Sequence, residues 1–171
     1  MRKPRHPWLL TVGVLCIGAW AHAQPALTTA DLEAFAGAWT LDTTKSGVSD
    51  EERRIITLGP GWMRVEIHRP NDDRPPALVY NLNGSTGVNP FGSGTATTEI
   101  WRDETGIVTT TVFTVNERPV TVQERLQLTS DGAMTAAVTL RVEHGYQGVL
   151  PTLEKRAPCV AETLKYFRRS P

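Results

Sequence analysis

Two carboxylates and a phenol are the groups through which this sequence could do acid–base chemistry: Glu99, Glu124 and Tyr80. Glu124 lies in the stretch from Val120 to Leu128, where strict alternation places it on the face of Val120, Val122 and Leu126. Glu99 shares a face with Trp101 by the same period, and Tyr80 falls between Leu78 and Leu82. A carboxyl group held in an apolar interior has a raised pKa unless a cation pairs with it, and such a group can act as general acid or base. The plainer reading is an ion pair with an inward arginine, or a place at an open rim. Either would leave the two glutamates structural.

Other chemistries find less support. His68 lies with Arg64 and Glu66 on a polar face, and His144 follows Glu143 at a strand end. Neither has a second ligand at metal spacing, so no metal is expected. Gly92-Ser93-Gly94 lacks the spacing of a nucleophile elbow, and the glycine-rich stretch 84–94 lacks the Lys-Ser/Thr ending of a phosphate-binding loop. No cofactor is implied.

The elements that would carry these residues are strands. A short helix is expected over 28–36, with Thr29 as its cap and Leu32 and Phe35 on one apolar face, ended by Gly37. From Trp39 onward the period is two. Met63, Val65 and Ile67 alternate with Arg64, Glu66 and His68; Leu78, Tyr80 and Leu82 end at Asn83-Gly84, a hairpin signal. A weak strand fits within 85–96, and the pattern recovers over 97–101. Residues 107–115 are nearly all β-branched or aromatic, a strand composition. Ser130-Asp131-Gly132 turns the chain into Met134, Ala136, Val138, Leu140 and Val142, and a last strand is expected over 163–168. Residues 145–161 break the rhythm and form a candidate lid or plug. Short turns without crossover helices imply an all-β antiparallel meander of about 8–10 strands, closed into a barrel or folded as a sandwich.

The N-terminus reads as an export signal. Residues 1–7 are basic, 8–20 are apolar, and Ala21-His22-Ala23 is a small-x-small cleavage site. Thirteen apolar residues make a helix of about 20 Å, shorter than a bilayer core of roughly 30 Å, so cleavage after Ala23 is expected rather than anchoring. The expected mature part, 24–171, is one domain, periplasmic or secreted, with no stable membrane insertion. Its 15 basic residues against 18 acidic ones give a net charge of −3, which disfavours nucleic acid as a partner. Cys16 leaves with the signal, so Cys159 has no internal disulfide partner.

Several residue runs occur together in a telling order: Gly37-Ala38-Trp39 leading into Leu41-Asp42 and Lys45-Ser46, Tyr80 with Asn83-Gly84, Asn89-Pro90-Phe91-Gly92, Trp101, and Glu124 to Gly132. In that order the chain resembles small secreted bacterial lipocalin-like proteins over about 130 residues. Leu126 stands where such proteins carry Trp, and the 145–161 segment is longer than theirs. The resemblance implies a calycin-type barrel, closed at one end by the short helix. It implies that Trp39 crosses that end beneath a stacked basic residue of the last strand, Arg168 or Arg169, and that an apolar pocket takes a small hydrophobic ligand.

The inward set that would line the pocket is Met63, Val65, Ile67, Leu78, Tyr80, Trp101, Phe113, Leu126, Val138 and Leu140. Carriage of a small hydrophobic molecule is the expected function, more readily than catalysis. Some calycin-like barrels isomerise or cyclise lipophilic substrates, and Glu124 or Glu99 with Tyr80 would do that work here. A structural or partner-binding domain with a filled barrel is the third possibility. An empty or full interior separates these readings.

Overall fold

The structure, a computed structural model, describes residues 26–47, 50–70, 72–142 and 159–168. The export signal, His144 and all of the 145–161 segment before residue 159 lie outside the described residues.

A one-turn helix α1 (Thr29–Leu32) and a 3-10 turn (Glu33–Phe35) open the fold. The cap falls one residue before the expected Thr29: the Asp31 carboxylate accepts the Thr28 backbone N–H at 2.9 Å, a capping box that Thr28 fits and Thr29 would not. Then come β1 (Gly37–Leu41), a second one-turn helix α2 (Thr43–Ser46), β2 (Arg53–Gly59), β3 (Trp62–His68) and β4 (Ala77–Asn81). The chain continues through β5 (Gly87–Phe91), β6 (Gly94–Arg102), β7 (Ile107–Val115), β8 (Arg118–Leu128), β9 (Met134–Val142) and β10 (Cys159–Arg168). The last strand thus begins four residues before the expected 163, and residues 159–161 belong to it rather than to a lid.

All ten strands form one antiparallel sheet in the order β4-β3-β2-β1-β10-β9-β8-β7-β6-β5. The meander is rolled so that β1 pairs with β10, Trp39 opposite Arg168, and the two sheet edges, β4 and β5, come side by side. The result is an all-β, nearly closed barrel, which settles barrel against sandwich.

The Asn83-Gly84 signal produces a turn without a hairpin. Gly84 takes φ +80°, but β4 and β5 share no backbone ladder. Side chains close the seam instead. Asn89 Oδ1 accepts the Val79 N–H at 2.8 Å, and its Nδ2 donates to the Val79 carbonyl and to Thr98 Oγ1, each at 3.0 Å. The Thr98 hydroxyl also donates to the Val79 carbonyl at 2.6 Å. Asn89 therefore does for β4 what a neighbouring strand's peptide would do, satisfying one N–H and one C=O of a buried backbone. Gly87 is needed beside it, because a Cβ there would lie 2.8 Å from the Val79 carbonyl oxygen.

One end of the barrel is shut. Trp39 is fully buried and its indole N–H donates to the Phe35 carbonyl at 2.8 Å. Over the ring sits Arg168, its guanidinium 5.0 Å from the ring centroid, donating to the Ala34 and Ala36 carbonyls at 2.6 and 3.2 Å. A cation stacked this way contributes about 0.5–2 kcal/mol. Arg102 bonds the Asp31 carbonyl at 3.3 Å, and the Leu27 N–H reaches the Leu82 carbonyl at 2.9 Å, so the helical segment is tied across the barrel end.

Candidate functional site

Period-two alternation decides what each strand presents inward, and the inward residues divide the barrel into two halves. Toward the shut end, Ile56, Met63, Leu82, Ile107, Leu126 and Met134 are buried and packed solid beneath Trp39. Toward the other end the same strands line a cavity of about 590 Å³. β3 gives it Val65 and Ile67, β4 Leu78 and Tyr80, β7 Thr111 and Phe113, β8 Val122 and Glu124, β9 Val138 and Leu140, and β10 Leu164. The volume falls within the range of small-molecule pockets, roughly 300–1,000 Å³.

A charged cluster forms the boundary between the halves. Arg54 of β2 faces inward with Ile56 and its side chain is only 4% exposed. Its Nη1 and Nη2 each donate to one oxygen of Glu124 at 2.9 Å, a bidentate pair spanning the interior from β2 to β8. Its Nε donates to Glu52 Oε1 at 2.7 Å. Glu52 in turn accepts the Tyr166 hydroxyl on Oε1 at 2.8 Å, and on Oε2 it accepts Arg69 Nη2 and Nε at 2.9 and 3.1 Å. The Arg54 guanidinium lies 4.7 Å over the Tyr166 ring.

The electrostatics follow from this wiring. Burial pushes the Glu52 carboxyl up, but Arg54, Tyr166 and Arg69 outweigh it and hold it below the usual range. Burial also opposes the charge on Arg54, and Glu124, Tyr166 and Glu52 together raise it well above its ordinary value. Both phenols stay protonated. Tyr80 is pushed up to about 12, by burial first and then by Glu124, while burial holds Tyr166 high as well. Tyr80 OH and Thr111 Oγ1 share a hydrogen bond of 3.0 Å at the cavity wall.

Of the residues expected to line the pocket, Val65, Ile67, Leu78, Tyr80, Phe113, Val138 and Leu140 do so. Met63 and Leu126 point inward but belong to the solid half. Trp101 does not point inward: Thr98 and Ile100 are the buried residues of β6, so Trp101 stands on the outer face, half-buried. Glu99 is outside with it and accepts the Thr86 hydroxyl at 2.9 Å. The structure therefore brings Glu124 and Tyr80 together in one cavity and separates Glu99 from both.

Arg54, Glu52 and Tyr166 belong to the candidate site but are not among the site residues expected from the sequence. The signal was present in the period: Arg54 stands two before Ile56 and four before Leu58, on the face whose burial that apolar run announces. Inward arginine against inward Glu124 is the pairing that alternation allows.

No protein-family model matches the sequence, and none of the curated proteins does. Solved structures share the fold. Lipid binding protein 8 of Caenorhabditis elegans, in its apo form, superposes with a TM-score of 0.51 at 10% identity, over 81% of this chain and 97% of that one. A Schistosoma mansoni fatty acid binding protein in complex with arachidonic acid gives 0.50 at 14%, over 82% and 99%. A mutant of the fluorescent protein UnaG gives 0.50 at 15%, over 82% and 99%. The shared fold is the nearly closed antiparallel β-barrel described above. At such identities the likeness concerns the fold alone.

Proposed function

We propose that this protein binds and carries a small hydrophobic molecule, a lipid or a molecule of similar size and polarity, in the open half of its barrel. The observation that carries this reading is the division of the interior: a solid half maintains the fold, and about 590 Å³ of mostly aliphatic and aromatic wall is left above a fixed polar floor. An apolar pocket with a few convergent polar groups is what ligand recognition requires. Two proteins of the same fold, a lipid binding protein and a fatty acid binding protein holding arachidonic acid, support the same class of ligand. With residues 1–23 acting as an export signal, the carrier would meet its ligand in the periplasm or the medium. The secreted bacterial lipocalin-like proteins are the group whose motif order supports that placement.

An acid–base enzyme is the second reading, favoured by Glu124 and Tyr80 lining one cavity. Carriage stands first because Arg54 occupies both Glu124 oxygens, and a proton-accepting carboxylate would have to leave that pair.

The test is expression of the full chain, followed by fractionation and native mass spectrometry of the exported protein. A co-purifying small molecule, or a rise in melting temperature with a lipophile panel, is the expected result. Ligand at about one hundred times its Kd stabilises by about 2.7 kcal/mol. Leu140→Trp, which fills the cavity from its wall, should abolish the rise while the protein stays folded. No co-purifying species together with an unmoved melting temperature across the panel would overturn the proposal.

A further inference from the structure

We infer that the ligand's polar end is an uncharged hydrogen-bond donor, such as a primary alcohol, received by the Glu124 carboxylate at the cavity floor, and that free carboxylates are disfavoured. This rests on the carrier reading and specifies its ligand class.

A buried arginine in a lipid-sized cavity invites a carboxylate, but Arg54 is already paired to carboxylates through Nε, Nη1 and Nη2. Three of its five N–H groups are bound to Glu52 and Glu124, its face is stacked on Tyr166, and only 4% of the side chain is exposed. Glu124 is the more open member of the pair at 15%. A carboxylate offers about four acceptor positions, and Arg54 takes one on each oxygen, so about two remain for a donor. An incoming carboxylate would meet those lone pairs and a like charge instead.

Charge balance gives the same answer. Arg54 and Arg69 against Glu52 and Glu124 sum to zero, so the floor has no net charge with which to compensate a desolvated anion or ammonium. Tyr80, at the cavity wall, is closed by comparison: its hydroxyl bonds Thr111 Oγ1 at 3.0 Å and is also hydrogen-bonded with Thr109, which leaves Glu124 as the open polar group. A ligand hydroxyl can thus donate to a free lone pair of Glu124.

The experiment is displacement of an environment-sensitive apolar fluorophore from the full-length exported protein by ligands of one chain length. These are 1-hexadecanol, palmitate, hexadecylamine and methyl palmitate, which has no donor. The alcohol is expected to bind at least about tenfold more tightly than any of the others. Glu124→Leu uncovers Nη1 and Nη2 of Arg54 and should invert the order, with palmitate gaining about tenfold and the alcohol losing its advantage. If that variant does not fold, Glu124→Gln reads the same contact: the amide keeps an acceptor for Arg54 and should lower the alcohol's advantage. Palmitate or hexadecylamine binding the wild type as well as the alcohol would overturn the inference. So would equal binding of all four, which would leave the carrier reading standing. Failure of the fluorophore itself to bind would overturn the carrier reading, and this inference with it.

Discussion

Replacing Arg54 with methionine tests the physical account of the cavity floor most directly. The substitution removes three hydrogen bonds and the positive partner of two carboxylates, buried Glu52 and partly buried Glu124. Glu52 keeps Arg69 and Tyr166, so its loss is partial. Glu124 keeps no ion-pair partner among those described at the floor, in a site where its side chain is 15% exposed. Breaking one partner out of a buried pair costs about 3–5 kcal/mol, and the water that enters through the cavity places this case near the lower figure. At roughly 3 °C per kcal/mol for a domain of this size, the melting temperature should fall by about 10 °C. The double variant Arg54→Met, Glu124→Met substitutes an apolar pair for an ionic one and should recover to within about 1 kcal/mol of the wild type, since such exchanges are often neutral. Urea denaturation of wild type, both singles and the double gives the coupling energy, expected near 2–3 kcal/mol. If Arg54→Met costs under about 1 kcal/mol and the double shows no coupling, water solvates both carboxylates in the folded protein and the floor described above is not one.

Three further outcomes follow, two from the β4–β5 seam and one from the floor. Asn89→Ala leaves the Val79 N–H without its acceptor; a loss of about 1–3 kcal/mol is expected, with hydrogen exchange at Val79 accelerated beyond that of β8 amides. Gly87→Ala, which presses a Cβ against the Val79 carbonyl, should open the same seam at about 1–3 kcal/mol, and protection at Val79 unchanged in both variants would refute the account. Acid should weaken the floor through Glu52. Its carboxyl titrates below its ordinary 4.5 when folded, so its contribution is complete above the unfolded value and is lost as pH falls through the lower folded one. The melting temperature of the wild type should therefore fall between about pH 5 and pH 3 more steeply than that of Glu52→Gln, and parallel curves would refute that role.

What the sequence disclosed and what it hid divide along the range of the interactions. β7 could be read from its run of β-branched residues, and β3 and β9 from alternation, because burial on one face writes itself into every second position. Face assignment failed in β6, where the large Trp101 suggested an interior that Thr98 and Ile100 in fact occupy. Size is a weak guide when the outer face also carries half-buried apolar residues. The floor was hidden for a different reason. Apolar patterning discards arginine, so the period of Arg54 does not announce it, and its partners Glu124 and Tyr166 are on other strands far away in sequence. Asn83-Gly84 shows the same limit. A turn signal is local, whereas the ladder that would make a hairpin depends on where the two strands are carried by the rest of the barrel.

The seam between β4 and β5 bears on self-association. Ten strands joined by nine ladders leave two rows of backbone groups that face one another, held by Asn89 and Thr98 at a single point. Free strand edges are templates for other chains, and most sheets guard them with charge or distortion. Here each edge screens the other, and β5 carries Pro90, which has no N–H to offer an incoming strand. Loosening the Asn89 contact would therefore do more than widen a gap. It would turn two mutually shielded edges into sticky ones, and the first sign would be self-association rather than loss of the barrel.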